Sequence, residues 1–390
     1  MISVDEALNR ILNSVSTLDI IRIPLDNALN YTLSEDVHSD IFMPPFDQSA
    51  MDGYAIHEGY FSSYEVIGEI QAGDSATNVT LKPGEAVRIF TGAMVPKSAT
   101  TVVKQEITEQ TGTTLTITEP VKSASNIRYT GEQIKKGEVA LKKGAILNPA
   151  AIGFLAMLGT QEVCVYRKPI VRILITGNEL VQVGNKLEPG QIYESNFITL
   201  SQALKQLDID TEVIRIRDTY EETYNTIGSI IKSCDILLTS GGISVGDYDF
   251  VGQALRENGI HESFYKIKQK PGKPLFYGYS DTCKVFALPG NPASALTSMY
   301  LYVFPAIHKM TVSQTPGLTM RTLQLSSEYS KTPKMTHFLK GKINGESVEI
   351  MNNQSSAMLN SFSKSDCIIR LNEGQEKWNT GDIVTVYLLP

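Results

Sequence analysis

Between residues 171 and 307 short β-branched runs alternate with amphipathic stretches, and this rhythm restricts the fold more than any other feature of the chain. Residues 171–176, 212–217, 235–240, 264–268 and 285–288 read as strands, and 196–207, 221–232, 249–258 and 293–307 as helices. Strands joined through helices run parallel. A mostly parallel sheet covered on both faces is therefore expected, with ligands at the carboxyl ends of its strands.

The flanks obey other rules. Ser3 followed by Glu6 predicts a capping box, and Val4, Ala7, Leu8, Ile11 and Leu12 recur at helical spacing behind it. Residues 64–70, 86–90, 101–105, 114–118 and 139–141 are short β-rich runs separated by turns, which predicts a small inserted β domain. A helix over 149–158 and a strand over 163–165 then lead back. After Met310 only short strands are expected, at 323–329, 337–343, 347–351, 368–371 and 383–388, which makes a separate C-terminal β domain. A chain of 390 residues exceeds what one core usually holds. The expected division is a discontinuous N-terminal domain (1–43 with 126–168), an inserted β domain (44–125), an α/β domain (169–310) and a β domain (311–390).

Chemistry-bearing residues cluster in loops. Pro44-Pro45-Phe46-Asp47-Gln48-Ser49-Ala50-Met51-Asp52-Gly53-Tyr54-Ala55 carries two carboxylates with no amphipathic period to explain them, and Gly53 permits a close backbone approach or a positive φ. An ordinary Asp-Gly turn is the competing reading. Arg88-Ile89-Phe90-Thr91-Gly92-Ala93 ends a strand where N–H groups face either an anion or a plain turn. Glu179 follows the first strand of the alternation, Asp218 the second, and Gly241-Gly242-Ile243-Ser244-Val245-Gly246-Asp247-Tyr248-Asp249 the third. That Gly-rich loop running into a helix suits a nucleotide phosphate, although its spacing is neither Rossmann nor Walker A. Lys266, Lys268 and Lys270 alternate along one apparent strand and so share a face, with Lys273 beyond a Pro-Gly turn. They read as an anion site or as solvated edge lysines. Leu288-Pro289-Gly290-Asn291-Pro292 ends the last strand, and its prolines fix the backbone rather than react.

Composition removes other classes. Thirty-five basic against 42 acidic side chains, a formal charge of −7, argue against a general nucleic-acid binder. Five histidines without paired-ligand spacing and four separated cysteines without a C-x-x-C pair leave an oxygen-ligated metal, such as Mg²⁺, as the metal to expect. The cysteines read as buried free thiols. The amino-terminal residues lack the pattern of a signal peptide and 150–158 is too short to span a bilayer, so a cytoplasmic protein without membrane contact is expected.

Phe46-Asp47-Gln48-Ser49-Ala50-Met51-Asp52-Gly53-Tyr54-Ala55 resembles the signature of the molybdenum insertases, the MoeA and gephyrin E-domain family. The likeness continues in order through Arg88–Ala93, Thr176-Gly177-Asn178-Glu179-Leu180, Gly190-Gln191-Ile192-Tyr193-Glu194-Ser195-Asn196, the loop from Gly241, Lys270-Pro271-Gly272-Lys273-Pro274, and Leu288–Pro292. The resemblance implies a central adenylyltransferase-like α/β domain, an elongated N-terminal domain and a C-terminal β-barrel-like domain. It also implies insertion of molybdate into adenylylated molybdopterin with Mg²⁺-dependent release of AMP.

On this resemblance Asp52, Glu179, Asp218, Asp249, Lys266 and Lys270 are the expected catalytic residues. Thr91, Gly242, Ser244, Gly246, Lys273, Pro289, Pro292 and Ser355 are expected to hold the substrate, and Asp52, Asp218, Asp247 and Asp249 the metal. The family usually has Asp where Gln133 stands, in the polar loop after Arg128, so no charged role passes to that position. A homodimer is implied, with the Asp52 loop of one chain closing on the α/β domain of the other, and the molybdopterin adenylyltransferase is a further possible partner. The rival readings are a molybdopterin adenylyltransferase, which normally lacks the Asp52 stretch and the β domains, and a noncatalytic gephyrin-like scaffold.

Overall fold

The computed structural model describes residues 1–57, 59, 61–241, 250–313 and 317–390. The chain divides into two compact units, one of Met1–Ser34, Gly144–Asn148 and Cys164–Pro390, the other of Glu35–Lys143 and Pro149–Val163.

In the larger unit, strands Thr211–Arg215, Val171–Ile175, Ile236–Ser240 and Lys284–Leu288 lie side by side and parallel. Both faces are buried. Val171, Ile173, Ile175, Ile236, Leu238, Phe286 and Leu288 pack on one side against Leu200, Ala203 and Leu204 of helix Asn196–Lys205. Leu174, Leu237, Val285 and Ala287 pack on the other against Ile227 and Ile230 of helix Tyr220–Ile230 and Val251 and Ala254 of helix Phe250–Glu257. The expected doubly covered sheet is therefore present.

The sheet's far edge differs from expectation. Strand Pro274–Tyr279 was not foreseen, and it pairs antiparallel with Lys284–Leu288 and with His261–Lys266. The sheet is mixed, because the segment joining Lys266 to Pro274 is too short for the crossover that a parallel pair requires. The helix expected over 293–307 is Pro292–Ser298, a wider π turn over Met299–Val303, and Phe304–Met310.

Helix Val4–Ser14 starts at Ser3, whose Oγ accepts the Glu6 N–H at 3.1 Å. The reciprocal half of the capping box is replaced: the Glu6 carboxylate pairs with Arg10 at 2.5 Å. Expected as part of an N-terminal domain, this helix instead buries Val4, Ala7 and Ile11 in the same core as Ile173 and Phe286. The carboxy-terminal strands Met320–Leu325, Thr336–Asn344, Ser347–Ile350, Cys367–Leu371 and Ile383–Leu388 close into a five-stranded barrel. Its Phe338, Phe362 and Ile368 belong to the α/β core, so barrel and sheet share apolar contact.

The smaller unit is built on a six-stranded sheet in the order Thr101–Lys104, Gly53–Ile56, Glu85–Ile89, Ser63–Ile70, Thr114–Ile117, Thr108–Thr111. Tyr54, Ile56, Ala86 and Val103 fill one small core, and Ala55, Val87, Ile89 and Val102 the other. Strand Gly53–Ile56 is thus buried on both faces, and it starts one residue after Asp52.

Candidate active site

A cavity of about 660 Å³ opens between the sheet's edge and the barrel, within the larger unit. Its lining includes Lys270, Lys273, Pro289, Asn291, His337 and Ser355, and no acidic residue among the described residues. The geometry follows from one short crossing. The chain leaves the α/β sheet at Lys266, and Gln269–Lys270 pairs parallel with Thr336–His337 of the barrel. Gln269 is fully buried. Its Nε2 donates to the carbonyls of Pro271 (3.0 Å) and Gly272 (3.2 Å), and its Oε1 accepts from the Tyr302 hydroxyl. Gly272 has φ +81°, and a Cβ there would lie 2.9 Å from the Gln269 amide nitrogen. Only glycine turns Lys273 back toward Lys270 at this point.

Along this crossing Lys266, Lys268 and Lys270 alternate in exposure with buried Ile267 and Gln269, and their side chains have different neighbours. Lys266 lies 5.0 Å from the Tyr265 ring centroid, Lys268 pairs with Glu373 at 3.7 Å, and Lys270 lines the cavity with Lys273.

The far wall is tied down from the barrel. Lys340, 4% exposed, points its ammonium at three carbonyls, those of Asn353 (3.0 Å), Ser355 (3.3 Å) and Met358 (3.4 Å). Burial pulls its pKa below the usual lysine value. The loop so held lends the Ser356 carbonyl to the Ala293 and Ser294 N–H groups (3.0 and 3.3 Å), and Asn291 Nδ2 donates to Ser356 Oγ at 3.0 Å. A barrel loop therefore caps the helix that follows Pro289. The sequence names Ser355 but not Lys340, because a lone lysine in a strand carries no pattern.

At the carboxyl ends of the parallel strands the backbone is crowded. A Cβ on Gly241 would sit 3.2 Å from the Thr176 carbonyl, and one on Gly290 would sit 4.0 Å from the Gly241 Cα. Asn196 Nδ2 bridges Ser240 Oγ (2.7 Å) and the Gly290 carbonyl (2.8 Å), and Glu194 Oε1 accepts the Phe197 N–H at 2.7 Å. Glu194 Oε2, Asn196 Oδ1 and Thr239 Oγ1 are buried and find no partner among the described residues. Buried orphan oxygens are costly unless a ligand or water satisfies them. The sequence marks Glu194 and Asn196 only as part of a motif, without a role, although neighbouring polar residues opening a helix are a usable signal. Glu179 is exposed and Asp218 half-buried, each just beyond its strand. Among the described residues no three His, Cys, Asp or Glu side chains gather as a metal site. The expected phosphate and metal residues Gly242, Ser244, Gly246, Asp247 and Asp249 lie outside the described residues. Pro292 opens the helix rather than the cavity.

In the smaller unit the Thr91 N–H and Oγ–H both donate to Asp52 Oδ1, at 2.8 and 2.7 Å. Those two bonds, then the Arg88 charge, hold the Asp52 pKa below the usual carboxylate range. Asp47 is clamped in the same way by Thr130, through its N–H and Oγ–H at 2.8 Å each. Thr91 thus orients the carboxylate. Gly53 provides close approach, not positive φ: a Cβ there would fall 1.9 Å from the Val103 carbonyl oxygen.

Models of three regions match this chain in the same order. They are the MoeA N-terminal region (domains I and II) over 2–159, a probable molybdopterin binding domain over 172–309, and the MoeA C-terminal region (domain IV) over 322–389. The chain belongs to the MoeA family. A molybdopterin molybdenumtransferase of Staphylococcus epidermidis is 32% identical, over 99% of this chain and 95% of that protein, and one of Staphylococcus aureus is 31% identical over the same shares. The crystal structure of a molybdopterin biosynthesis MoeA protein from Pyrococcus horikoshii OT3 superposes with a TM-score of 0.84 at 28% identity, covering all of both chains. This MoeA-family chain is accordingly a transferase of molybdenum cofactor biosynthesis that acts on molybdopterin. No described helix is long and apolar enough to cross a membrane.

Proposed function

We propose that the enzyme inserts molybdate into adenylylated molybdopterin and releases AMP, and that the cavity of Lys270 and Lys273 receives the oxyanion. The observation carrying this reading is a lining with two ammonium groups, hydroxyl and amide groups from Ser355 and Asn291, and no acidic side chain among the described residues. A multiply charged anion entering a partly dehydrated site needs opposite charge already in place, which lowers the reorganisation required during reaction. The cavity shares Pro289 and Asn291 with the strand-end region, where Gly242, Ser244 and Gly246 would hold the nucleotide phosphates and Glu179 would orient them. Pterin and phosphate are then fixed along one wall while molybdate meets the dithiolene sulfurs.

The oxygen-only donor set suits Mg²⁺. Asp218, Asp247 and Asp249, with Asp52 brought in by a second copy of the chain, would hold the ion, which supplies charge neutralisation on the pyrophosphate when bound. The orphan oxygens of Glu194 and Asn196 fit a hydrated cation nearby. Homodimer formation is supported by helix Pro149–Met157, composed of apolar residues throughout yet with only Leu155 buried and Met157 54% exposed. Four free cysteines suit a reducing, cytoplasmic setting.

Purified protein given adenylylated molybdopterin, Mg²⁺ and molybdate should release AMP only when molybdate is present. Lys270→Ala should lose at least about tenfold in kcat/KM while keeping its fold. AMP release independent of molybdate, or full activity in Lys270→Ala, refutes the reading.

A further inference from the structure

The cavity's third basic side chain differs in kind from its lysines. His337 is 5% exposed, lines the cavity, and stands directly across from Lys270 in the parallel pairing of the two strands. Its Nδ1 lies 3.2 Å from the Tyr329 hydroxyl, whose ring meets the imidazole edge-on at 5.9 Å. The charged and titratable groups facing it are Lys270, Lys331 and Tyr329, with Lys273 in the same lining. Lys331 is itself buried, with Nζ donating to the Met335 carbonyl at 2.9 Å. Glu373 acts on Lys331 but pairs with Lys268 at 3.7 Å. Among the described residues no carboxylate lines the cavity beside the imidazole.

We propose that His337 is a switchable third cation of this cavity, neutral while the cavity is empty and protonated from solvent when a multiply charged oxyanion is seated beside Lys270. The inference rests on reading the cavity as the oxyanion's seat. Burial and the Lys270 and Lys331 charges hold the empty ring neutral, with a pKa of about 4. An entering anion reverses the sign of the local field, so the same dehydration that penalised a lone imidazolium now strengthens an ion pair. Tyr329 makes the change local. In the neutral ring the hydroxyl donates to Nδ1. On proton uptake Nδ1–H donates to the hydroxyl oxygen, and the hydroxyl hydrogen is freed to turn toward the anion. One proton leaves solvent and one N–H bond forms. A lysine in this place would oppose its neighbours permanently, whereas a histidine avoids that repulsion until the ligand arrives.

The test is an NMR titration of the His337 ring in the full chain, assigned by the signal lost in His337→Gln. It is run alone, with sulfate, which keeps its charge across the range, and with molybdate. The expected midpoint is near 4 alone, and at least about one pH unit higher with either anion, which corresponds to about tenfold tighter anion binding by the protonated ring. In Lys270→Ala the anion-free midpoint should rise, because one repelling charge is gone. A free-protein midpoint near the ordinary histidine value of 6.5 overturns the proposal. So does a midpoint unmoved by both anions. A rise with sulfate alone sustains the switch and refutes the cavity as the molybdate seat. Molybdate-dependent AMP release with no rise under either anion overturns the switch and leaves the insertion reading intact.

Discussion

A histidine kept neutral by its surroundings must weaken the fold in acid, and the size of that effect follows from the geometry around His337. The imidazole midpoint falls from 6.5 to about 4 on folding, through burial first and then the Lys270 and Lys331 charges. Between those values the unfolded chain binds a proton that the folded chain refuses, so stability drops as pH falls from 6.5 toward 4, and no penalty exists above 6.5. Linkage puts the loss at ~2 kcal/mol by pH 5, rising to ~3 kcal/mol near pH 4. The chain's single tryptophan, Trp378, is buried in the barrel core and sits opposite Tyr329 in a strand pair, so its fluorescence reports the element that carries His337. Urea unfolding of wild type and His337→Gln, followed at Trp378 at pH 7.5 and pH 5, separates this residue from every carboxylate that also titrates. The wild type should lose ~2 kcal/mol more than the variant over that interval, and any cost of replacing the ring cancels because it is the same at both pH values. Equal losses in the two proteins would show that the ring is not held neutral, and the argument built on its isolation would fail.

The Asp52 loop supplies two further tests. Gly53→Ala drives a methyl group into the Val103 carbonyl, 1.9 Å away, in a strand buried on both faces. The two strands must part, at a cost of ~3 kcal/mol or more, seen as a lower thermal midpoint and loss of activity; an unchanged midpoint refutes the close approach. Thr91→Val keeps the N–H bond to Asp52 Oδ1 and removes the hydroxyl bond. The Asp52 carboxyl midpoint, read by NMR, should move up toward its ordinary value, and kcat/KM should fall roughly three- to tenfold through the misplaced carboxylate. A carboxyl midpoint unmoved by this substitution refutes the clamp.

The parallel core was legible because Val171, Ile173, Leu174, Ile236, Leu237, Val285 and Phe286 are apolar on both faces, a pattern that only a covered sheet explains. Strand Pro274–Tyr279 was not. It opens on proline and contains Gly278, both of which read as loop, and its antiparallel sense is encoded only in the length of the link from Lys266. The lysines show how far periodicity reaches. Alternation gave the right exposure for Lys266, Lys268 and Lys270, but the chain changes sheets between the first and last, and no local pattern marks that passage. The same limit hid the clamp between Asp52 and Thr91 and the approach of Cys234 Sγ to Cys283 Sγ, 3.6 Å apart at the starts of neighbouring strands. None of the four cysteines forms a disulfide; three are buried as expected, Cys164 is only half-buried, and Cys234 and Cys283 are neighbours.

The barrel bears on the chemistry through what it holds rather than through what it reacts. A buried ammonium is costly to dehydrate, and among the described residues Lys340 recovers that cost from the three backbone carbonyls of one loop. A carboxylate partner would have neutralised Lys340 more completely. It would also have placed a negative charge behind the Ser355 wall and weakened the attraction of Lys270 and Lys273 for an anion in the same cavity. Carbonyl dipoles satisfy the ammonium without adding net charge. The loop they belong to caps the helix after Pro289 through Ser356, so hydrogen bonds tie the barrel, the helix and the cavity wall together. A site of this kind stays cationic because its supports are neutral. His337, the basic group proposed to change charge, lies on the barrel strand directly across from Lys270.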